Sequence, residues 1–207
     1  TNGFLYLGSS GLNTNNVTYS NNLISGFSST QRPLIAPFWD DLDVQSATNI
    51  KYKTTGTAPN RVFTIEWANV LWDYSASSAC ISFQTSLYEG TNVIEFIYKQ
   101  ETGTPSDADG NLGASIGLTA TGTGINNFIS LNNSSSNPTA SISVNTTDIT
   151  SKPATGQIYR FTPIATCTGT PTAGTASASV STACANASFN LVLSFRSGIT
   201  VKNGVRK

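Results

Sequence analysis

Histidine is absent from all 207 residues. That excludes every Ser–His and Cys–His nucleophilic arrangement and every histidine-ligated zinc or haem site. Charge is scarce as well: 11 Lys and Arg balance 11 Asp and Glu, and charged residues form 11% of the chain, against about 25% in an average soluble domain. A nucleic-acid surface needs a cationic excess, so nucleic acid is not an expected partner. The three cysteines, Cys80, Cys167 and Cys184, have no CxxC spacing and no His to complete a zinc site, which sets sulfur-ligated metal aside. No apolar run approaches the roughly 18 residues of a membrane span, so membrane insertion is not expected of this chain. Methionine is missing, an initiator included, and residues 1–8 lack the charged start and apolar stretch of a signal peptide. The chain is expected to be a mature fragment of a longer protein.

What the sequence does hold is uncharged hydrogen-bonding side chains: Ser and Thr fill 56 positions and Asn another 20. Low charge, a hydroxyl-rich surface and the lack of oxidisable Met suit a secreted or cell-surface protein. Residues 61–70 alternate, with Phe63, Ile65 and Trp67 on one face and Thr64, Glu66 and Ala68 on the other, the period of a half-buried strand. Ile81, Phe83, Thr85 and Leu87 repeat the pattern, Glu89-Gly90-Thr91-Asn92 supplies turn chemistry, and Ile94, Phe96 and Tyr98 resume it, which predicts a β-hairpin. Phe63, Ile65, Trp67, Ile81, Phe83, Leu87, Ile94 and Phe96 are expected to share one core. Further short strands are expected at 4–7, 34–39, 50–53, 113–118, 127–131, 141–144 and 157–161, separated by Gly, Pro, Asn and Ser clusters. No stretch carries the i, i+3, i+4, i+7 apolar repeat, so no helix beyond a single turn is expected. The fold class that follows is all-β, an antiparallel β-sandwich over residues 1–164. Near Pro163 the texture changes to Thr, Gly, Pro, Ala and Ser, and Phe189 to Leu193 resume a strand pattern. Residues 165–207 read as a linker and a partial second β module, too short to close a core alone.

Several blocks carry a family resemblance. Asn2-Gly3-Phe4-Leu5, the run Leu34-Ile35-Ala36-Pro37-Phe38-Trp39-Asp40-Asp41-Leu42, Phe63-Thr64-Ile65-Glu66-Trp67, Ile81-Ser82-Phe83-Gln84 and Ala114-Ser115-Ile116-Gly117-Leu118 resemble, in this order, nidogen-like β-sandwich domains. They are most similar to the version found in secreted surface proteins of the Bacteroidetes type. The segment from Cys167 to Thr175, followed by Cys184 to Leu191, resembles the start of an immunoglobulin-like repeat, truncated here. The resemblance implies an extracellular, multi-domain, non-enzymatic protein of the adhesion or matrix kind. It further implies that Cys184 pairs with a later cysteine of its repeat or locally with Cys167, which leaves Cys80 as a buried free thiol. Such domains usually carry strands before the position matching Asn2, so the resemblance implies either that the sequence is truncated there or that a partner supplies those strands.

Candidate site residues come with an alternative each. Asp40, Asp41 and Asp43 repel one another unless a cation or hydrogen bonds compensate, so they are either calcium ligands or a polar turn. Asp107, Asp109, Gly110 and Asn111 form a second oxygen-rich loop with the same two readings, lacking the distal Glu of an EF-hand. Trp39 and Trp67 are expected to pack, whereas Trp72, Asp73 and Tyr74 end a strand and enter a loop, as an aromatic pair beside a carboxylate facing a ligand or simply as packing. Glu66 and Glu95 fall on a common outer face, but nothing around them supplies the apolar pocket a glycosidase acid needs. No catalytic residues and no cofactor other than calcium are expected. Asn16, Asn132, Asn133, Asn145 and Asn186 carry the N-glycosylation pattern. Three functions remain: an adhesion module recognising an extracellular glycan or protein, a structural subunit or spacer of an extracellular filament joined by strand addition between neighbouring copies, and an accessory domain of a secreted hydrolase.

Overall fold

The computed structural model describes residues 2–8, 20–106 and 113–164. Asp107, Asp109, Asn111, Cys167, Cys184, Asn16, Asn186 and the second β module lie outside them. Among the described residues eleven strands form two antiparallel sheets, the sandwich that the alternation predicts. The strands are β1 (Leu5–Tyr6), β2 (Leu34–Trp39), β3 (Leu42–Asp43), β4 (Ile50–Thr55), β5 (Val62–Trp72), β6 (Ile81–Tyr88), β7 (Ile94–Gln100), β8 (Ser115–Thr119), β9 (Phe128–Leu131), β10 (Ala140–Ser141) and β11 (Ile158–Phe161). The first sheet has the order β1-β2-β8-β9-β10. The second has the order β11-β7-β6-β5, and both β3 and β4 pair with β5. Helix among the described residues is limited to two 3-10 turns, Ser29–Gln31 and Ala47–Asn49.

The predicted hairpin forms as drawn, with Phe83 opposite Tyr98, Thr85 opposite Phe96 and Leu87 opposite Ile94. Trp67, Ile81, Phe83 and Phe96 are buried in the core between the sheets, and Ile65, Leu87 and Ile94 pack against it partly buried. Phe63 departs from the expectation: it is half-buried and lies against Tyr52, ring centroids 6.0 Å apart. The alternation of β5 also breaks. Asn69 takes a left-handed φ of 53°, the register against β6 shifts between Trp67 and Val70, and beyond this bulge Val70, Leu71 and Trp72 are all buried.

Phe38 is the aromatic hub between the sheets. Its ring meets Trp72 edge-on at 4.6 Å and lies 6.0 Å from Phe83. Trp67 stacks on Phe83 at 5.0 Å. The Tyr98 hydroxyl donates to the Pro37 carbonyl at 2.6 Å, a polar tie from the second sheet to the first. The first sheet buries its other face too. There Leu34, Ala36, Trp39 and Phe128 join Leu23, with Phe4 and Phe27 against them. Trp39 therefore packs as expected, on the far side of its sheet from the main core.

Candidate functional site

β2 belongs to the first sheet and β3 to the second, and only Asp40 and Asp41 lie between them. These two residues are thus the corner at which the chain changes sheets. Asp40 is buried. Its Oδ2 accepts from Trp72 Nε1 at 2.6 Å and from the Gly113 amide at 3.1 Å, while Oδ1 accepts from the Asp41 amide at 2.9 Å. Burial raises its pKa, the three donors pull it back down, and the nearby Asp73 charge adds to the rise. The carboxylate is a structural tie among three segments, and the tight turn of the Asp-Asp pair is what aims it inward.

Asp41 and Asp43 are partly exposed, on either side of buried Leu42. Among the described residues no three His, Cys, Asp or Glu side chains are grouped to hold a metal ion. The structure does not bring Asp40, Asp41 and Asp43 together as a ligand set. Neutral N–H donors engage both Asp40 oxygens, which is the hydrogen-bonded way of relieving carboxylate repulsion.

Of the two readings of Trp72, Asp73 and Tyr74, ligand-facing or packing, Trp72 takes the packing one. That ring is fully buried against Phe38, with its only N–H spent on Asp40, because the bulge at Asn69 carries the strand end inward. Tyr74 is 54% exposed. Asp73 adopts a φ of 84°, and its Oδ1 accepts from the Ser75 amide at 2.7 Å and from the Ser75 hydroxyl. Ser75 Oγ lies 3.2 Å from Ser106 Oγ, so the β5–β6 loop is tied to the neighbouring segment. The accessible part of this cluster is a tyrosine beside a fixed carboxylate.

Glu66 and Glu95 do share the outer face of the second sheet, with β6 between their strands. Each has its own partner. Glu66 accepts from Gln84 Nε2 at 2.8 Å, and Glu95 takes the Tyr88 hydroxyl at 2.5 Å and the Arg160 guanidinium at 2.5 Å. Cys80 is a buried free thiol; burial pushes its pKa up, opposed by the nearby Lys152 ammonium.

Two features escape a reading of the sequence. Arg32 is 2% exposed and donates to the carbonyls of Leu23 (2.7 Å), Gly26 (2.9 Å), Ala120 (3.2 Å) and Asn127 (3.5 Å). Burial brings its pKa down to about 10, so the guanidinium stays charged at neutral pH and organises the segment over Trp39. The second is Tyr52, 76% exposed on β4. By register it shares the inner face with Ile65 and Trp67, and its exposure means that the first sheet does not cover this end of that face.

Gly3 and Gly117 belong to the blocks that carry the resemblance, and both are demanded by close backbone approach. A Cβ on Gly3, where φ is 74°, would fall 1.8 Å from the Phe38 carbonyl oxygen, and one on Gly117 would fall 2.0 Å from that of Ile129. With Phe38, Trp39 and Asp40 these residues build the interior. Among the described residues no helix is long and apolar enough to cross a membrane. No curated protein and no solved structure matches the chain. Residues 1–163 match the family model described as NIDO related. That match covers most of the chain, and with its glycines, aromatics and Asp-Asp corner all used in one sandwich, the chain belongs to the NIDO-related family.

Proposed function

We propose that this chain is a non-enzymatic binding module of a secreted or cell-surface protein, recognising an extracellular glycan or protein through loops at one end of the sandwich. The observation that supports this reading is Tyr74, half exposed beside the fixed Asp73 carboxylate on a loop braced by Ser75 and Ser106. A ring held by a rigid scaffold offers a flat apolar face and a polar tip at low entropic cost. The test is to screen the full chain against immobilised glycans and extracellular-matrix proteins beside Tyr74→Ala. Binding that falls about tenfold or more in the variant, with an unchanged melting temperature, supports the reading. Binding that Tyr74→Ala leaves intact overturns it.

A second reading, a structural subunit of an extracellular filament assembled by strand addition, is favoured by a different observation. β4 is six residues long and pairs among the described residues with β5 alone. An unpaired edge of that length presents a row of backbone donors and acceptors to another strand.

A further inference from the structure

We infer that the edge of β4 left unpaired among the described residues is an acceptor for an extended partner segment that alternates acidic and apolar side chains. This rests on the strand-addition reading and specifies the chemistry of the incoming strand. Register with β5 puts Lys51 opposite Glu66 and Lys53 opposite Thr64 on the outer face of the sheet, and Tyr52 opposite Ile65 and Thr54 opposite Phe63 on the inner face. Residues 51–55 are all exposed. The edge therefore offers two different surfaces with a period of two.

On the outer face the two lysines have no carboxylate within ion-pair distance among the described residues. The ion pairs found there join Arg61 to Glu89, Lys99 to Glu101 and Arg160 to Glu95, and Glu66 is held by Gln84. On the inner face Tyr52 and Phe63 lie together, with the tyrosine uncovered. A strand laid along this edge with the same pleat sets alternate side chains beside the lysines and beside the aromatic pair. Carboxylates suit the first row and apolar groups the second.

The same pattern argues against β4 of a second copy as the occupant. Antiparallel pairing of β4 with β4 that continues both faces sets lysine opposite lysine in each central register, Lys51 against Lys53 twice or one of them against its own counterpart. Like charges directly opposite are destabilising, and lysines on an edge are a common device against self-pairing.

The probe is a fluorescein-labelled peptide of three Glu-Val repeats, titrated with the full chain and followed by anisotropy. Its controls are a Lys-Val peptide of equal length and a Glu-Val peptide N-methylated at alternate backbone amides. The expected result is saturable binding of the Glu-Val peptide only, weakened about tenfold or more by Lys51→Glu with Lys53→Glu, and weakened by salt. Both lysines are exposed, so the double variant is expected to fold, and its melting curve checks this. Equal binding of the Glu-Val and Lys-Val peptides, or binding that survives N-methylation, overturns the inference. If neither peptide binds but the chain self-associates in sedimentation and Tyr52→Glu abolishes this, the acidic partner is overturned while strand addition stands. No peptide binding and no self-association overturn both.

Discussion

Trp72 Nε1 donates a 2.6 Å hydrogen bond to Asp40 Oδ2, and this bond ties the end of β5 in the second sheet to the corner at which the chain leaves the first. The Gly113 amide reaches the same oxygen, so one buried carboxylate fixes three segments distant in sequence. Removing it strands buried donors, each costing about 1–3 kcal/mol. Asp40→Ala is therefore expected to lose about 3–5 kcal/mol in chemical denaturation. Trp72→Phe, which removes one donor and part of a ring, is expected to lose about 2 kcal/mol. A loss under about 1 kcal/mol for Asp40→Ala would refute the tie.

The same carboxylate gives the stability a signed pH dependence. Burial raises the pKa of Asp40 in the folded state, so the folded chain holds that proton more tightly than the unfolded one. Its contribution is then fully present below the unfolded value of about 4 and is lost as pH rises through the folded value. Glu89 runs the other way. The Arg61 guanidinium holds its pKa down to about 2, so its contribution is present above the unfolded value of about 4.3 and is lost as pH falls towards 2. Melting curves between about pH 2.5 and 7 should show the gap between wild type and Asp40→Asn widening on acidification, and the gap to Glu89→Gln closing. Gaps moving in the same direction would contradict one of the two assignments.

Calcium is the companion question. Both Asp40 oxygens already accept N–H bonds, and a cation there would have to displace donors that the fold places. Melting temperatures in millimolar calcium and in chelator are expected to agree within about a degree. A cation bound only by the folded chain at 100 times its dissociation constant would add about 2.7 kcal/mol, a rise of several degrees. Such a rise, abolished by Asp43→Asn, would assign calcium to the corner.

Phe83 tests the core. Its ring lies between Trp67 at 5.0 Å and Phe38 at 6.0 Å, and Phe83→Ala is expected to cost about 3–5 kcal/mol as a large-to-small change in a packed interior. Phe63 on β5 faces the same inner side of the second sheet but sits at the uncovered end against exposed Tyr52. Phe63→Ala is expected to cost about 1–2 kcal/mol, since less apolar surface is withdrawn from water there. Equal costs at the two positions, measured by urea denaturation, would contradict the uncovered end.

The contrast between these two phenylalanines shows what a sequence holds and what it does not. Period-two alternation assigns faces within a strand, so the β6–β7 hairpin and the buried Phe83 and Phe96 are legible from residue types alone. Whether a second sheet extends over a given stretch of face is a tertiary property, and Phe63 and Tyr52 look no different from core residues until the sheets are placed. The Asp40 corner is legible only as one of two alternatives, a turn with carboxylates accepting N–H bonds, for a related reason. Three carboxylates in four positions read as a metal loop or a polar turn, because two of the three donors that engage Asp40 come from 32 and 73 residues away. For Trp72 the packing alternative holds, and its place could not be read from the sequence because one left-handed residue at Asn69 resets the alternation of everything after it.

Arg32 carries the last prediction. Among the described residues Arg32 has no carboxylate partner, a buried guanidinium without one is costly to desolvate, and what offsets the cost is a fork of donors spread over the carbonyls of Leu23, Gly26, Ala120 and Asn127. These bonds tie the segment preceding β2 to the β8–β9 connection and hold it over Trp39, whose ring stacks on Phe27 at 5.8 Å. Arg32→Met fills much of the volume but leaves the carbonyls unpaired, and is expected to cost about 3 kcal/mol, or about 6–12 °C in melting temperature for a domain of this size. Arg32→Lys keeps the charge but concentrates it on one ammonium that cannot span four carbonyls, so it is expected to recover only part of the loss. Hydrogen exchange should localise the damage, with amides at 22–34 and 119–128 exchanging faster in both variants while the β6–β7 hairpin keeps its protection at low denaturant. Full recovery by lysine would mean that charge alone, and not the geometry of the fork, holds this face together.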